Sequence, residues 1–126
     1  MITPDYNFLK KYFSKSRKVV ITSHRSPDGD ALGSSIALYD RLKEHGHEVN
    51  VIVPNSYPNY LKFMPFINDI LIYEANEEKC MEIINKTDTF FFLDFNDSLL
   101  YSIILPAHIH SFSWLGKIDS NINCFS

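Results

Sequence analysis

The chain has 126 residues, enough for one hydrophobic core and not for two. With 45% hydrophobic and 21% charged residues it has a globular composition, and its net charge of −3 excludes the broad basic surface that holds long duplex nucleic acid. Cys80 and Cys124 show no Cys-x-x-Cys spacing, the start "MITPDYNFLKKYF" is too charged for a secretory leader, and no apolar run reaches membrane-spanning length, so the expected compartment is the reducing cytoplasm.

Thr3-Pro4-Asp5 reads as a helix start, with Thr3 as cap, Pro4 at the first helical position and Tyr6, Leu9, Tyr12 and Phe13 as the apolar stripe. "KVVITS" (18–23) is short, apolar and β-branched, the pattern of a buried parallel strand. The loop beginning "SHRSPDGD" follows. "ALGSSIALYDRLKEHG" (31–46) then predicts a helix on which Leu32, Ile36, Tyr39 and Leu42 share a face, with Gly46 at its carboxyl end. "HEVNVIVP" (47–54) predicts a second strand. The proline-punctuated stretch after it predicts a loop with one short helix near Tyr60 to Met64. "DILIY" (69–73) predicts a third strand, "NEEKCMEIINKT" (76–87) a helix, and "DTFFFLDFND" (88–97) an apolar strand ending in acid. The alternation implies a Rossmann-like α/β fold: a mainly parallel sheet with flanking helices. Residues 98–126 lack a sustained hydrophobic period and do not read like what precedes them.

In an open parallel sheet, ligands gather beyond the carboxyl ends of the strands, where strand order reverses. The first strand delivers His24, Asp28 and Asp30 to that edge, and the strand at 89–93 delivers Asp94, followed by Asn96 and Asp97. If these strands are neighbours, one imidazole and three carboxylates converge, a donor set suited to Mn²⁺ or Mg²⁺. Gly29 is expected to let the backbone turn tightly and aim both flanking carboxylates inward, and Gly33 to let the following helix pack close to the sheet. Each piece also has a plainer reading. Asp-Gly-Asp before a helix can be a cap and a turn, His24 a structural histidine and Asp94 an ordinary loop residue. Arg25 suits either a phosphate contact or an exposed loop position, and Asn96 and Asp97 either orient Asp94 or are simply solvated. The segment "GDALGSS" lacks the Gly-Lys-Ser/Thr of a P-loop, and no Gly-x-Gly-x-x-Gly occurs.

"SHRSPDGDALGSS" closely resembles the first motif of the DHH phosphoesterase superfamily, and "FFLDFND" resembles its second. That superfamily includes RecJ-type exonucleases, family II inorganic pyrophosphatases and bacterial oligoribonucleases that also dephosphorylate phosphoadenosine phosphate; the segment "YPNYLKFMP" looks most like the last group. The resemblance spans residues 1–97. It implies that His24 and Asp28 bind one Mn²⁺, Asp30 binds the second and Asp94 bridges them. Two such ions activate a metal-bound water to attack phosphorus, so no side-chain nucleophile is implied. The implied substrates are short oligoribonucleotides or nucleotide phosphates; Mg²⁺ is an alternative to Mn²⁺, and no oligomeric state is implied.

The Asp-His-His motif that names the superfamily does not occur in the 126 residues. "AHIH" offers His108 and His110, but no apolar strand ending in aspartate precedes them, and Asp119 is no better placed. The expectation is therefore a partial, truncated DHH domain over 1–97 and an atypical tail over 98–126, from a frameshift or a replacement. The C-terminal substrate-binding domain of the family is expected to be absent, and phosphoesterase activity impaired. The alternatives are a non-catalytic metal- or nucleotide-binding module and a non-functional truncation product.

Overall fold

A computed structural model describes residues 6–93. The first element, α1 (Tyr6–Tyr12), buries none of its residues fully: of the expected stripe, Leu9, Tyr12 and Phe13 are half-buried, while Tyr6 is 71% exposed. The anchor is Phe13, just past the helix: its ring stacks on Phe91 at 6.0 Å and meets His47 edge-on at 5.2 Å. Tyr12 adds a hydroxyl–hydroxyl hydrogen bond to Thr89. Thr3 and Pro4, the expected cap and first turn, lie outside the described residues.

The β-branched run forms β1 (Lys18–Ser23), with every residue but Lys18 buried. After α2 (Gly29–Glu44) comes β2 (Glu48–Val53), then a segment with two 3₁₀ turns at Asn59–Leu61 and Ile67–Asp69 where one short helix was expected. β3 shrinks to Leu71–Ile72, because Ile70 N–H bonds back to Ile67 and Tyr73 already enters another 3₁₀ turn. α3 (Glu77–Asn85) and β4 (Thr89–Leu93) follow. Among the described residues, no helix is long and apolar enough to cross a membrane.

The four strands form one parallel sheet in the order β3-β2-β1-β4. Alternate residues of the strands face opposite sides, which gives two cores. On one side Val19, Ile21, Val51, Phe91 and Leu93 pack under Leu32, Ile36 and Tyr39 of α2; on the other, Val20 and Ile52 pack under Cys80 and Ile84 of α3. Leu42 joins the first core at its margin, completing the expected helix face. The chain leaves β1 toward β2 on one side and reaches β4 on the other. The order therefore reverses at β1, and the crevice of an open sheet falls beyond the ends of β1 and β4.

Candidate metal centre

β1 and β4 are hydrogen-bonded neighbours, in register from Val19 opposite Thr89 to Ser23 opposite Leu93. The neighbour relation that the sequence reading required is present. His24 is the next residue after Ser23, and Asp94 the next after Leu93. Asp94, Asn96 and Asp97 lie outside the described residues, as do His108, His110 and Asp119.

Asp28 is the N-cap of α2. Its backbone is extended (φ −95°, ψ −173°), and Oδ1 accepts the Ala31 N–H at 2.9 Å. The same oxygen lies 3.8 Å from His24 Nε2, four residues back. On the other side of the ring, His24 Nδ1 is 2.7 Å from the Arg25 carbonyl oxygen. A carbonyl only accepts, so Nδ1 carries a proton, and it is Nε2, the nitrogen that holds the lone pair in the neutral ring of this tautomer, that lies on the side of Asp28. A backbone carbonyl on one ring nitrogen is the usual way a metal-binding histidine is oriented. The imidazole–carboxylate pair, with side chains 21% and 59% exposed, therefore fits a divalent cation reached from solvent. The cap does not compete with that use, because a carboxylate has lone pairs for both.

Asp30 sits in the first turn of α2 and is exposed. The helix begins at Gly29, two residues earlier than the pattern implied, which makes Asp30 a helical residue instead of a loop residue. Among the described residues, no three His, Cys, Asp or Glu side chains converge into a metal cage. The structure thus brings His24 and Asp28 together without Asp30. Arg25 forms an ion pair with Glu74, beyond β3, both about half exposed.

The sequence reading missed three features of this loop. The left-handed residue is Ser26 (φ 53°), whereas Gly29, expected to make the tight turn, is an ordinary helical residue. Ser26 is held by Asn55, just after β2, through its N–H at 2.6 Å and its hydroxyl at 3.2 Å. Leu61 and Met64 of the proline-punctuated segment close over the first turns of α2: a Cβ on Gly29 would meet Leu61 at 3.7 Å, and one on Gly33 would meet Met64 at 3.6 Å. Gly33 therefore faces a side chain, not the sheet. Pro54, which ends β2, was the signal that could have placed a turn at Asn55.

Residues 18–111 match the DHH family, N-terminal domain. Over 47 residues the chain is 43% identical to the bifunctional oligoribonuclease and PAP phosphatase NrnA of Thermus thermophilus, which is 37% of this chain and 14% of that protein. The crystal structure of an exopolyphosphatase-related protein from Bacteroides fragilis superposes with a TM-score of 0.71 at 42% identity, covering 78% of this chain and 30% of that one. The chain thus spans less than a third of either relative. With three quarters of its length matched, including both strands that frame the His24–Asp28 pair, the chain belongs to the DHH family.

Proposed function

We propose that this chain carries the first part of a metal-dependent phosphoesterase site, acting on phosphodiester or phosphomonoester bonds of short oligoribonucleotides or nucleotides in the cytoplasm. In this reading His24 and Asp28, with Asp94, hold one divalent cation, Mn²⁺ or Mg²⁺, and Asp30 serves a second. Such ions, when bound, activate water and offset the negative charge that builds on the phosphate oxygens. The chain's own residues do the rest. Arg25 fixes Nδ1 of His24 through its carbonyl, Asp28 presents its carboxylate from a capped position, and the amino end of α2 adds a positive field suited to a phosphate. Asn96 and Asp97 would orient Asp94 or a bound water, and Arg25 would reach a phosphate only by leaving Glu74.

The single observation that carries this reading is His24 Nε2 facing Asp28 Oδ1 at the reversal point of the sheet. The substrate class draws on the similarity to a protein named as an oligoribonuclease and PAP phosphatase. Since these 126 residues contain no Asp-His-His, we propose that the second ion is poorly held and turnover by this chain alone is impaired.

The test is Mn²⁺-dependent hydrolysis of a short oligoribonucleotide by the purified chain, beside Asp28→Ala and Asp94→Ala, together with Mn²⁺ binding. Binding by the parent that both variants weaken supports the site, with turnover expected to be weak. Binding unchanged by either substitution would remove the ligand assignment, and vigorous metal-dependent turnover would remove the impairment.

A further inference from the structure

Ser26 is the bend in the loop that joins His24 to Asp28. Its φ of 53° lies in the left-handed region, which a residue bearing a Cβ adopts only when its surroundings enforce it. The enforcing group is a single side chain 29 residues away. Asn55 Oδ1 accepts the Ser26 N–H at 2.6 Å, and Asn55 Nδ2 donates to Ser26 Oγ at 3.2 Å. Two bonds from one planar amide fix both the backbone and the side chain of Ser26. Asn55 is itself placed by Pro54, which is fully buried at the end of β2.

On the far side of the bend, Pro27 is also fully buried, and its ring fixes φ, so it transmits the direction set at Ser26 into Asp28. The second tie on this loop, Arg25 to Glu74, joins two half-exposed side chains and is screened by solvent. The Ser26–Asn55 clasp is exposed too, but it grips the backbone N–H and the hydroxyl of the bending residue itself, so it is the tie that decides where the loop turns.

We propose that Asn55 is a positioning residue for this loop: by holding Ser26 left-handed, it sets His24 Nε2 opposite the carboxylate of Asp28. The metal consequence rests on the ligand reading above; the geometry of the loop does not.

The experiment compares four versions of the whole chain: the parent, Asn55→Ala, Ser26→Gly and the double variant. Mn²⁺ binding is followed by electron paramagnetic resonance at a temperature where all four are folded. In the metal-free proteins, hydrogen exchange of the Ala31 amide, which is bonded to Asp28, reports where that carboxylate sits. Asn55→Ala is expected to weaken Mn²⁺ binding at least fivefold and to speed Ala31 exchange by a similar factor. Glycine adopts the left-handed bend without steric cost, so adding Ser26→Gly is expected to recover at least half of both losses on a logarithmic scale. A residue that merely braces the fold would lower Tm while leaving the folded protein's affinity unmoved, and the glycine would rescue nothing. Either Ala31 exchange within twofold of the parent in Asn55→Ala, or no rescue in the double variant, overturns the inference. Should Asn55→Ala fail to fold, Asn55→Ser, too short to span both groups, takes its place in the same comparison. If the parent binds no Mn²⁺, the ligand reading falls, and the Ala31 exchange pattern alone decides whether Asn55 positions the loop.

Discussion

Asp28 faces His24 with the same carboxylate oxygen, Oδ1, that caps helix α2, at 3.8 Å from the imidazole and 2.9 Å from the Ala31 amide nitrogen. One side chain therefore serves helix stability and the candidate cation site, and two substitutions separate the roles. Asparagine caps a helix about as well as aspartate, whereas alanine gives up roughly 1 kcal/mol. Asp28→Asn is expected to keep the parent's urea midpoint and lose Mn²⁺ affinity; Asp28→Ala is expected to lose both. An Asp28→Asn protein that binds Mn²⁺ as the parent does would show that the carboxylate is a cap only.

Thr22, one residue before the end of β1, has a buried hydroxyl with no hydrogen-bond partner among the described residues. A buried polar group left unpaired carries its desolvation cost uncompensated. Thr22→Val keeps the branched shape and removes the hydroxyl, so it is expected to stabilise the fold by about 1 kcal/mol. Equilibrium urea unfolding checks this: the midpoint should rise with the slope unchanged.

His47 gives the fold a built-in sensitivity to acid. Burial first, then the nearby charges of His45 and Arg17, hold its pKa below the ordinary histidine value of 6.5. Its Nδ1 accepts the Arg17 backbone N–H at 3.0 Å, a bond that protonation at this nitrogen breaks. The unfolded chain takes up this proton more readily than the folded one, so stability is full above pH 6.5 and falls as pH drops from there toward the folded pKa. Tm measured from pH 8 to 5 should decline below about 6.5, and the decline should be shallower in His47→Gln.

Ile84 of α3 is 1% exposed and packs with Val20, Ile52 and Cys80 in the smaller of the two cores. Ile84→Ala is expected to cost about 2–5 kcal/mol by urea unfolding, because a core of so few residues has little slack to fill the cavity. Phe63 is 81% exposed, and Phe63→Ser is expected to stay within about 0.5 kcal/mol of the parent. A large loss there would mean that the residue is covered.

The contrast between "KVVITS" and "DILIY" shows what the pattern of residues can disclose. The first holds an unbroken β-branched run from Val19 to Thr22, and it becomes β1 with the expected limits. The second has the same apolar character, but its two ends, Asp69 and Tyr73, are taken by 3₁₀ turns and the Ile70 N–H bonds back to Ile67, so only Leu71–Ile72 pairs with β2. The candidate site divides in the same way. His24 and Asp28 were legible because they follow a readable strand and precede a readable helix. Asn55 was not, since a clasp between residues 29 apart leaves no period in the chain. Gly29 drew attention to the wrong bend, because a capped helix absorbs it and the left-handed position falls on Ser26.

The position of β1 between β2 and β4 also sets an order of assembly. Lys18 meets Glu48 across 30 residues, whereas Val19 meets Thr89 across 70, and closing the longer loop costs about 0.7 kcal/mol more entropy. The β1–α2–β2 unit can close first, and its loop brings His24 and Asp28 with it. β4 docks later against an edge already formed, and with it the chain leading to Asp94. On loop entropy alone, the β1–β4 pairing is the later one to close, so His24 and Asp28 can come together before the strand that leads to Asp94 is in place.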